Sequence, residues 1–207
     1  IEDKTREALI HKSGLLEFIS KERIRDELVK VIESDNAADG LEKMHELGIF
    51  KLVMPELEEC WGITQNKHHI YTVWEHNLRS LSRAIKEKWS LEVRMAALLH
   101  DVGKPRTKRG EGPDSTFYNH EMVGAKMTAQ MLSRFRFPKK FVEKVTKLVR
   151  YHLFYYNVGE VTESSVRILI VNIGLENVED LIKVREADRI SSGRPKAVTY
   201  KLRHLKY

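Results

Sequence analysis

The chain has 207 residues, 42% of them apolar, enough to bury a sizeable core as one domain or as a small domain leading into a larger one. Its net charge of +6 leans toward an anionic partner such as RNA or a nucleotide. Cys60 is the single cysteine, which excludes an internal disulfide and a thiolate metal site and points to a reducing cytoplasm, and no apolar run approaches the roughly 18 residues needed to span a bilayer.

Apolar residues recur at spacings of three and four, proline is rare, and alternating Val/Ile/Thr stretches are nearly absent. An all-α fold is therefore expected. The first helix is expected from Glu2 to Lys12, stopping near Gly14. The second runs from Ser20, a good N-cap, to about Glu33, with Ile24, Leu28, Val31 and Ile32 inward. A third follows Asn36 and ends at Gly48, and Ile49 to Met54 is a short apolar run before Pro55. Periodicity is lost from Glu56 to Ile70, which marks a connector and a domain boundary.

Thr72 with Glu75 three residues on is a capping-box arrangement that opens the next helix, carrying His76 on its first turns. Ser90 is expected to cap a helix that is apolar nearly all round and delivers His100-Asp101 at its end. Lys104 to Ser115 reads as an exposed loop. Further helices are expected at about Asn119 to Arg134, Pro138 to His152, Thr162 to Ile173 and Val178 to Ser192, followed by a basic tail from Gly193 to Tyr207. The opening Ile1-Glu2-Asp3-Lys4 resembles no signal peptide, and a start at Ile on an incipient helix suggests a piece of a longer chain.

His76, the His100-Asp101 pair within His-Asp-Val-Gly-Lys, His120, His152 and Asp188 fall at or near the ends of separate expected helices. Imidazole supplies nitrogen and carboxylate supplies anionic oxygen, a mixed set that suits a borderline divalent cation and leaves positions open for water. Adjacent helical residues point about 100° apart, so His100 and Asp101 share one ion only where the backbone turns, as Gly103 and Pro105 encourage. His76, His100, Asp101 and Asp188 suit one six-coordinate ion; adding His120 and His152 suits two ions bridged by a carboxylate, most simply Asp101. The bland alternative is a set of helix caps and core hydrogen bonds. Two aspartates neutralise one dication, so a one-metal site is expected to be roughly neutral and a two-metal site positive, with Lys104 adding charge.

The stretch from about Tyr71 to Ser192 resembles an HD-type metal-dependent phosphohydrolase domain. His76, His100-Asp101 and Asp188 fall on that family's four-ligand pattern, and His120 and His152 match the extra histidines of its two-metal members. The resemblance implies a divalent metal among Mg, Mn, Fe, Ni, Co and Zn, and hydrolysis of phosphomono- or phosphodiesters of nucleotides or of an RNA 3′ end. In that scheme Asp101 holds metal at the reacting centre and Lys104 stabilises charge on the phosphoryl oxygens.

At the front, Ser20-Lys21-Glu22-Arg23-Ile24-Arg25-Asp26-Glu27-Leu28, Gly40-Leu41 through Leu47-Gly48, and Met54-Pro55-Glu56-Leu57 are similar to the neck of bacterial tRNA nucleotidyltransferases and poly(A) polymerases, which implies contact with tRNA. The order expected is a neck over 1–60, an HD body over 61–193 and a basic tail over 194–207. The family's catalytic head, with its Gly-Ser loop and paired aspartates, has no counterpart in these residues, so no nucleotide addition is expected of them. The chain looks like the C-terminal portion of such an enzyme, or like a headless protein of its kind. A competing reading is a noncatalytic RNA-binding body with a structural or idle metal site.

Four smaller features carry expectations. Arg23 and Arg25 among acidic neighbours are expected to brace the fold rather than touch RNA. His68 and His69 lie just ahead of His76 and are expected mostly in solvent, with phosphate contact as the alternative. Phe154, Tyr155 and Tyr156 suit either core or base stacking, and Lys104, Arg106, Lys108 and Arg109 either draw in phosphate or solubilise a loop. His11, His45 and His204 are taken as bystanders.

Overall fold

The computed structural model describes residues 2–154 and 162–193. Among them there is no β-strand; a lone antiparallel bridge joins Arg109 and Thr116. The helices are α1 (Asp3–Lys12), α2 (Lys21–Glu33), α3 (Ala37–Glu46), α4 (Phe50–Val53), α5 (Pro55–Glu58), α6 (Val73–Lys86), α7 (Leu91–Leu99), α8 (Lys104–Thr107), α9 (His120–Arg134), α10 (Lys139–Tyr151), α11 (Glu163–Ile173) and α12 (Val178–Ser191). The all-α expectation holds: α1 to α5 form a short helical neck and α6 to α12 a larger bundle.

Local chemistry sets the helix starts. Ser20 caps α2 by accepting the Arg23 N–H, and the Thr72–Glu75 capping box closes reciprocally, with Glu75 N donating to Thr72 Oγ1 at 3.2 Å and Thr72 N donating to Glu75 Oε2 at 2.8 Å. Ser90 occupies its expected cap position, but its side chain makes no cap hydrogen bond.

Helix α7 is the axis of the bundle. Val93, Met95, Ala96, Ala97, Leu98 and Leu99 are all fully buried, because α6, α10 and α12 surround it and α2 approaches from the neck. A single apolar cluster runs from Ile24, Leu28 and Ile32 through Phe50, Leu57 and Trp74 to Leu98, Met131, Leu148 and Val184, so neck and bundle share one core. Arginines lock the junction. Arg94 on α7 donates to the Ile32 and Glu33 carbonyls at the C-terminal end of α2, where carbonyls lack intrahelical donors. Arg134 forks onto Glu56 at 2.6 and 2.8 Å. Arg25 braces as expected, donating to the Arg136 carbonyl, while Arg23 is exposed.

The segment from Lys104 to Ser115 departs from the exposed loop expected of it. It opens with the helical turn α8, and Lys104 is only 5% exposed because its ammonium lies between Asp101 and Gln65. The expected basic tail beyond Gly193, including His204, lies outside the described residues, as do Tyr155 and Tyr156.

Gly103, inside His-Asp-Val-Gly-Lys, is required by space. A Cβ there would collide with the His120 carbonyl oxygen and the Gly124 amide nitrogen, both backbone atoms of α9, whereas a Cβ at Gly124 meets the Gly103 nitrogen at 3.3 Å. Gly103→Ala is therefore expected to destabilise the protein by about 1–3 kcal/mol, as overpacking does. Gly124→Ala, which gains helix propensity of about 1 kcal/mol, should stay near wild type. Urea denaturation of both variants checks this, and equal midpoints would remove the steric argument.

Candidate metal centre

Helix ends deliver every candidate ligand. His76 sits on the first turn of α6, His100 and His152 are the C-caps of α7 and α10, and Asp188 lies in the last turn of α12. His120 opens α9 directly after Asn119, whose φ of 62° lies in the left-handed region that asparagine tolerates and turns the chain inward. All are buried: His76, His100 and His152 at 0%, Asp101 at 1%, His120 at 6% and Asp188 at 7% exposure.

Three imidazoles are held in the same way. Nδ1 of His100, His120 and His152 lies 2.9, 2.6 and 2.7 Å from the carbonyl oxygen three residues earlier, that of Ala97, Phe117 and Val149 respectively. A carbonyl only accepts, so Nδ1 carries the proton and donates, which leaves the Nε2 lone pair of the neutral ring aimed inward. For His100 and His152 the same bond supplies a donor to the open carbonyls of a helix C-terminus. His76 differs, since its Nδ1 is buried without a hydrogen-bond partner among the described residues.

The inward nitrogens meet two carboxylates. Asp101 Oδ2 is 3.4 Å from Nε2 of both His76 and His100, and its Oδ1 is 3.2 Å from His120 Nε2 and 3.7 Å from His152 Nε2. Asp188 Oδ1 is 3.3 Å from His76 Nε2 and 3.7 Å from His100 Nε2. Two clusters result, His76–His100–Asp101 and Asp101–His120–His152, each compact enough to hold a metal ion, with Asp101 common to both. The His120 and His152 Nε2 atoms are buried with no hydrogen-bond partner among the described residues, and the His76 and His100 Nε2 atoms face each other at 3.0 Å. With the proton on Nδ1, the neutral rings of His100, His120 and His152 turn acceptor nitrogens toward carboxylate oxygens, an arrangement that a cation satisfies. The donor set thus fits a divalent metal.

The electrostatics point the same way. Burial works against ionised Asp101 and Asp188, yet Lys104 and then His100 hold Asp101 well below the usual carboxylate range, and Arg185 with His100 and His76 does so for Asp188. Burial likewise opposes a charged His100, but Asp101 and Asp188 outweigh it and push it up to about 10. Burial, with His100 beside it, takes His152 down to about 3. The carboxylates demand positive charge among them, and a proton on His100 meets that demand where a metal would.

Lys104 donates to Asp101 Oδ2 and, at 2.6 Å, to Gln65 Oε1 on the connector, while Gln65 Nε2 donates to the Tyr71 carbonyl. Arg185, one turn before Asp188, donates to Asp188 Oδ2 at 2.6 Å. A cavity of about 1140 Å³ is lined by Asp101, Lys104, His120 and Asp188 of this centre and by the apolar Phe154, Leu169 and Leu181.

All six expected ligands and Lys104 therefore converge. His69 turns its ring edge-to-face against His76 at 4.8 Å, and burial takes its pKa down to about 3, whereas His68 is exposed at the cavity mouth. Part of the basic loop is spent internally, Arg106 forking onto Glu59 and Lys108 pairing with Glu111. Sequence reasoning missed Arg185, for which a basic residue three before a ligand aspartate was the available signal, and Gln65, for which there was none.

An all-helical bundle that gathers four imidazoles and two carboxylates around one shared aspartate is the frame of a metal-dependent hydrolase. The chain belongs to the HD domain family, which residues 68–192 match. Residues 1–60 match the family described as the probable RNA and SrmB-binding site of polymerase A. The chain is 35% identical over 189 residues to the A-adding tRNA nucleotidyltransferase of Deinococcus radiodurans, covering 89% of this chain and 42% of that protein. It is 36% identical over 162 residues to the CC-adding tRNA nucleotidyltransferase of Thermus thermophilus, covering 72% and 37%. With the multifunctional CCA protein of Neisseria meningitidis it shares 29% identity over 157 residues, covering 75% and 37%. The chain thus spans about two fifths of the length of these relatives.

Saturating Mn(II) or Ni(II), at roughly a hundred times Kd, is expected to raise the thermal midpoint by about 5–10 °C, from a linkage of about 2.7 kcal/mol. Asp101→Ala should abolish the rise, and His120→Ala should halve the bound metal counted by elemental analysis from two ions per chain to one. A metal-indifferent midpoint in the wild type would overturn the metal assignment.

Proposed function

We propose that the chain acts as a phosphohydrolase on nucleotide phosphoesters, or on a phosphate or 2′,3′-cyclic phosphate at an RNA end, within a tRNA nucleotidyltransferase-like protein of the cytoplasm. One observation carries this reading: Asp101 presents one oxygen to His76 and His100 and the other to His120 and His152, in the lining of a cavity.

In this reading His76, His100, Asp101 and Asp188 would hold a first ion, and Asp101, His120 and His152 would hold a second. A bound divalent metal supplies an acidified water at neutral pH and charge for the phosphoryl oxygens. Four imidazoles against two carboxylates favour Mn, Fe, Co, Ni or Zn over Mg. Lys104 keeps Asp101 ionised and fixed; an ammonium has three donors, two of which go to Asp101 and Gln65, leaving the third for a phosphoryl oxygen. The carbonyl tethers keep His100, His120 and His152 from rotating as substrate enters.

The test is hydrolysis of bis(p-nitrophenyl) phosphate, 2′,3′-cyclic AMP and simple nucleotides with Mg, Mn, Ni or Co. Turnover with Mn, Ni or Co is expected to exceed that with Mg, Lys104→Met should cost on the order of 10²-fold, and Asp101→Ala at least as much. Equal inactivity of wild type and Asp101→Ala with every metal sinks the hydrolase and leaves the RNA-binding body.

For the neck, tRNA binding is proposed from the match over residues 1–60; the chain's +6 charge is not carried by that segment, where acidic residues outnumber basic ones. Binding is expected at low salt and should weaken by about tenfold or more between roughly 50 and 200 mM salt. Filter binding that detects no tRNA at the lowest salt removes this partner.

A further inference from the structure

Among the described residues three cations, Lys104, Arg150 and Arg185, line the cavity beside the centre, and they differ in how much of their hydrogen-bonding capacity is spent. Lys104 is divided between Asp101 and Gln65, and Arg150 pairs with Glu121 at 3.2 Å. Arg185 makes a single hydrogen bond among the described residues, from Nη1 to Asp188 Oδ2. A guanidinium has five N–H donors in a rigid fork, so most of this one is uncommitted.

Other acids of α12 do not compete for it. Glu186 pairs with Arg83 at 3.0 Å, and Asp180 is held by Lys144 at 2.7 Å and by Lys183. The side chain is 22% exposed, and the surface it shows lines the cavity. Asp188 is thereby split, with Oδ2 on Arg185 and Oδ1 facing His76 and His100, so a group taking the free Arg185 donors lies next to the position of the first ion.

We propose that Arg185 is an anion clamp of this centre: it steadies Asp188 with one N–H and offers the rest of its fork to a phosphoryl group bound in the cavity. This rests on the phosphohydrolase reading for its substrate, but the clamp itself is a statement about phosphate binding. Planar, bidentate recognition of two phosphoryl oxygens is a geometry that Lys104, a point charge, does not supply. Arg185 would thus set affinity for the phosphoryl group, while the metal ligands set the chemistry.

The test measures two affinities in parallel, Mn(II) by the electron paramagnetic resonance of the free ion and inorganic phosphate by calorimetry, on wild type, Arg185→Lys and Arg185→Met. Phosphate is titrated into both metal-free and Mn(II)-loaded protein, and thermal melts check folding. The expected result is phosphate binding to the metal-free protein at least tenfold weaker in Arg185→Met, an intermediate loss in Arg185→Lys, which keeps the charge without the fork, and a loss of Mn(II) affinity smaller than the loss of phosphate affinity. In the hydrolysis assay KM should rise by a similar factor with kcat changed much less.

Phosphate affinity unchanged in both variants overturns the proposal. So does a fall in Mn(II) affinity that accounts for the whole loss of phosphate, because Arg185 would then only orient Asp188. If the wild type takes up no Mn(II), the metal reading fails separately, and Arg185 is judged on phosphate binding to the metal-free protein, where the clamp predicts the same loss in Arg185→Met. Should Arg185→Met melt early, Arg185→Lys alone decides between a partial loss and none.

Discussion

The structure turns on two carboxylates that are almost wholly withdrawn from solvent. Asp101 and Asp188 are 1% and 7% exposed, and moving a carboxylate into such surroundings costs several kcal/mol unless cations and donors replace its hydration. The fold answers with a permanent cation for each, Lys104 on Asp101 and Arg185 on Asp188, and with imidazoles whose lone pairs face the same oxygens. The first pairing keeps both carboxylates ionised at neutral pH. The second sets acceptor against acceptor, so although Lys104 and Arg185 balance the carboxylate charge, these contacts are satisfied only by positive charge placed between them. A proton on His100 is one way to supply it and a divalent metal is the other, which makes metal uptake and proton release at this centre opposite sides of one equilibrium.

Helix termini are what make such a centre possible in an all-α chain. A ligand in mid-helix would have to reach across a packed face, whereas a ligand at an end sits where the backbone already turns and where carbonyls lack donors. His100 and His152 use this twice over, closing the C-termini of α7 and α10 through Nδ1 while presenting Nε2 to the centre. The dense burial of α7 fixes one end of the assembly, and the close approach of Gly103 to α9 sets how near His120 comes to Asp101. Because the apolar core runs on unbroken from Ile24 in α2 to Val184 in α12, and because Gln65 on the connector bonds Lys104, the neck is mechanically part of the site's support.

How far the amino-acid sequence reveals this depends on the range of the interactions involved. Helices such as α6 and α12 are legible because apolar spacing and the Thr72–Glu75 box are local signals, and the ligand set is legible because His and Asp types recur at helix ends. The fate of Lys104 is not legible. A basic residue before Pro105 and Arg106 has the composition of a solvated loop, and only the fold brings Gln65 from 39 residues away to meet it. Arg106 and Lys108 are similar: the cations are visible in the sequence, but Glu59 as the partner of Arg106 is set by tertiary packing. His69 was expected mostly in solvent, yet it packs against His76, because the connector folds back over α6 instead of running free.

The charge of the centre follows from these long-range partners and differs from a count of aspartates against metal. Taken alone, two carboxylates cancel one dication, which would make the second ion necessary for attracting a phosphate. With Lys104 and Arg185 in contact, the two carboxylates are already neutralised before any metal arrives. A single dication would then leave the centre with a net positive charge beside a cavity whose lining also includes the apolar Phe154, Leu169 and Leu181. In the proposed scheme, one ion would therefore suffice to attract a phosphoryl group. The cluster of His120 and His152 on the other oxygen of Asp101 is left free to act on where the phosphoryl oxygens sit, a question of geometry in place of one of charge.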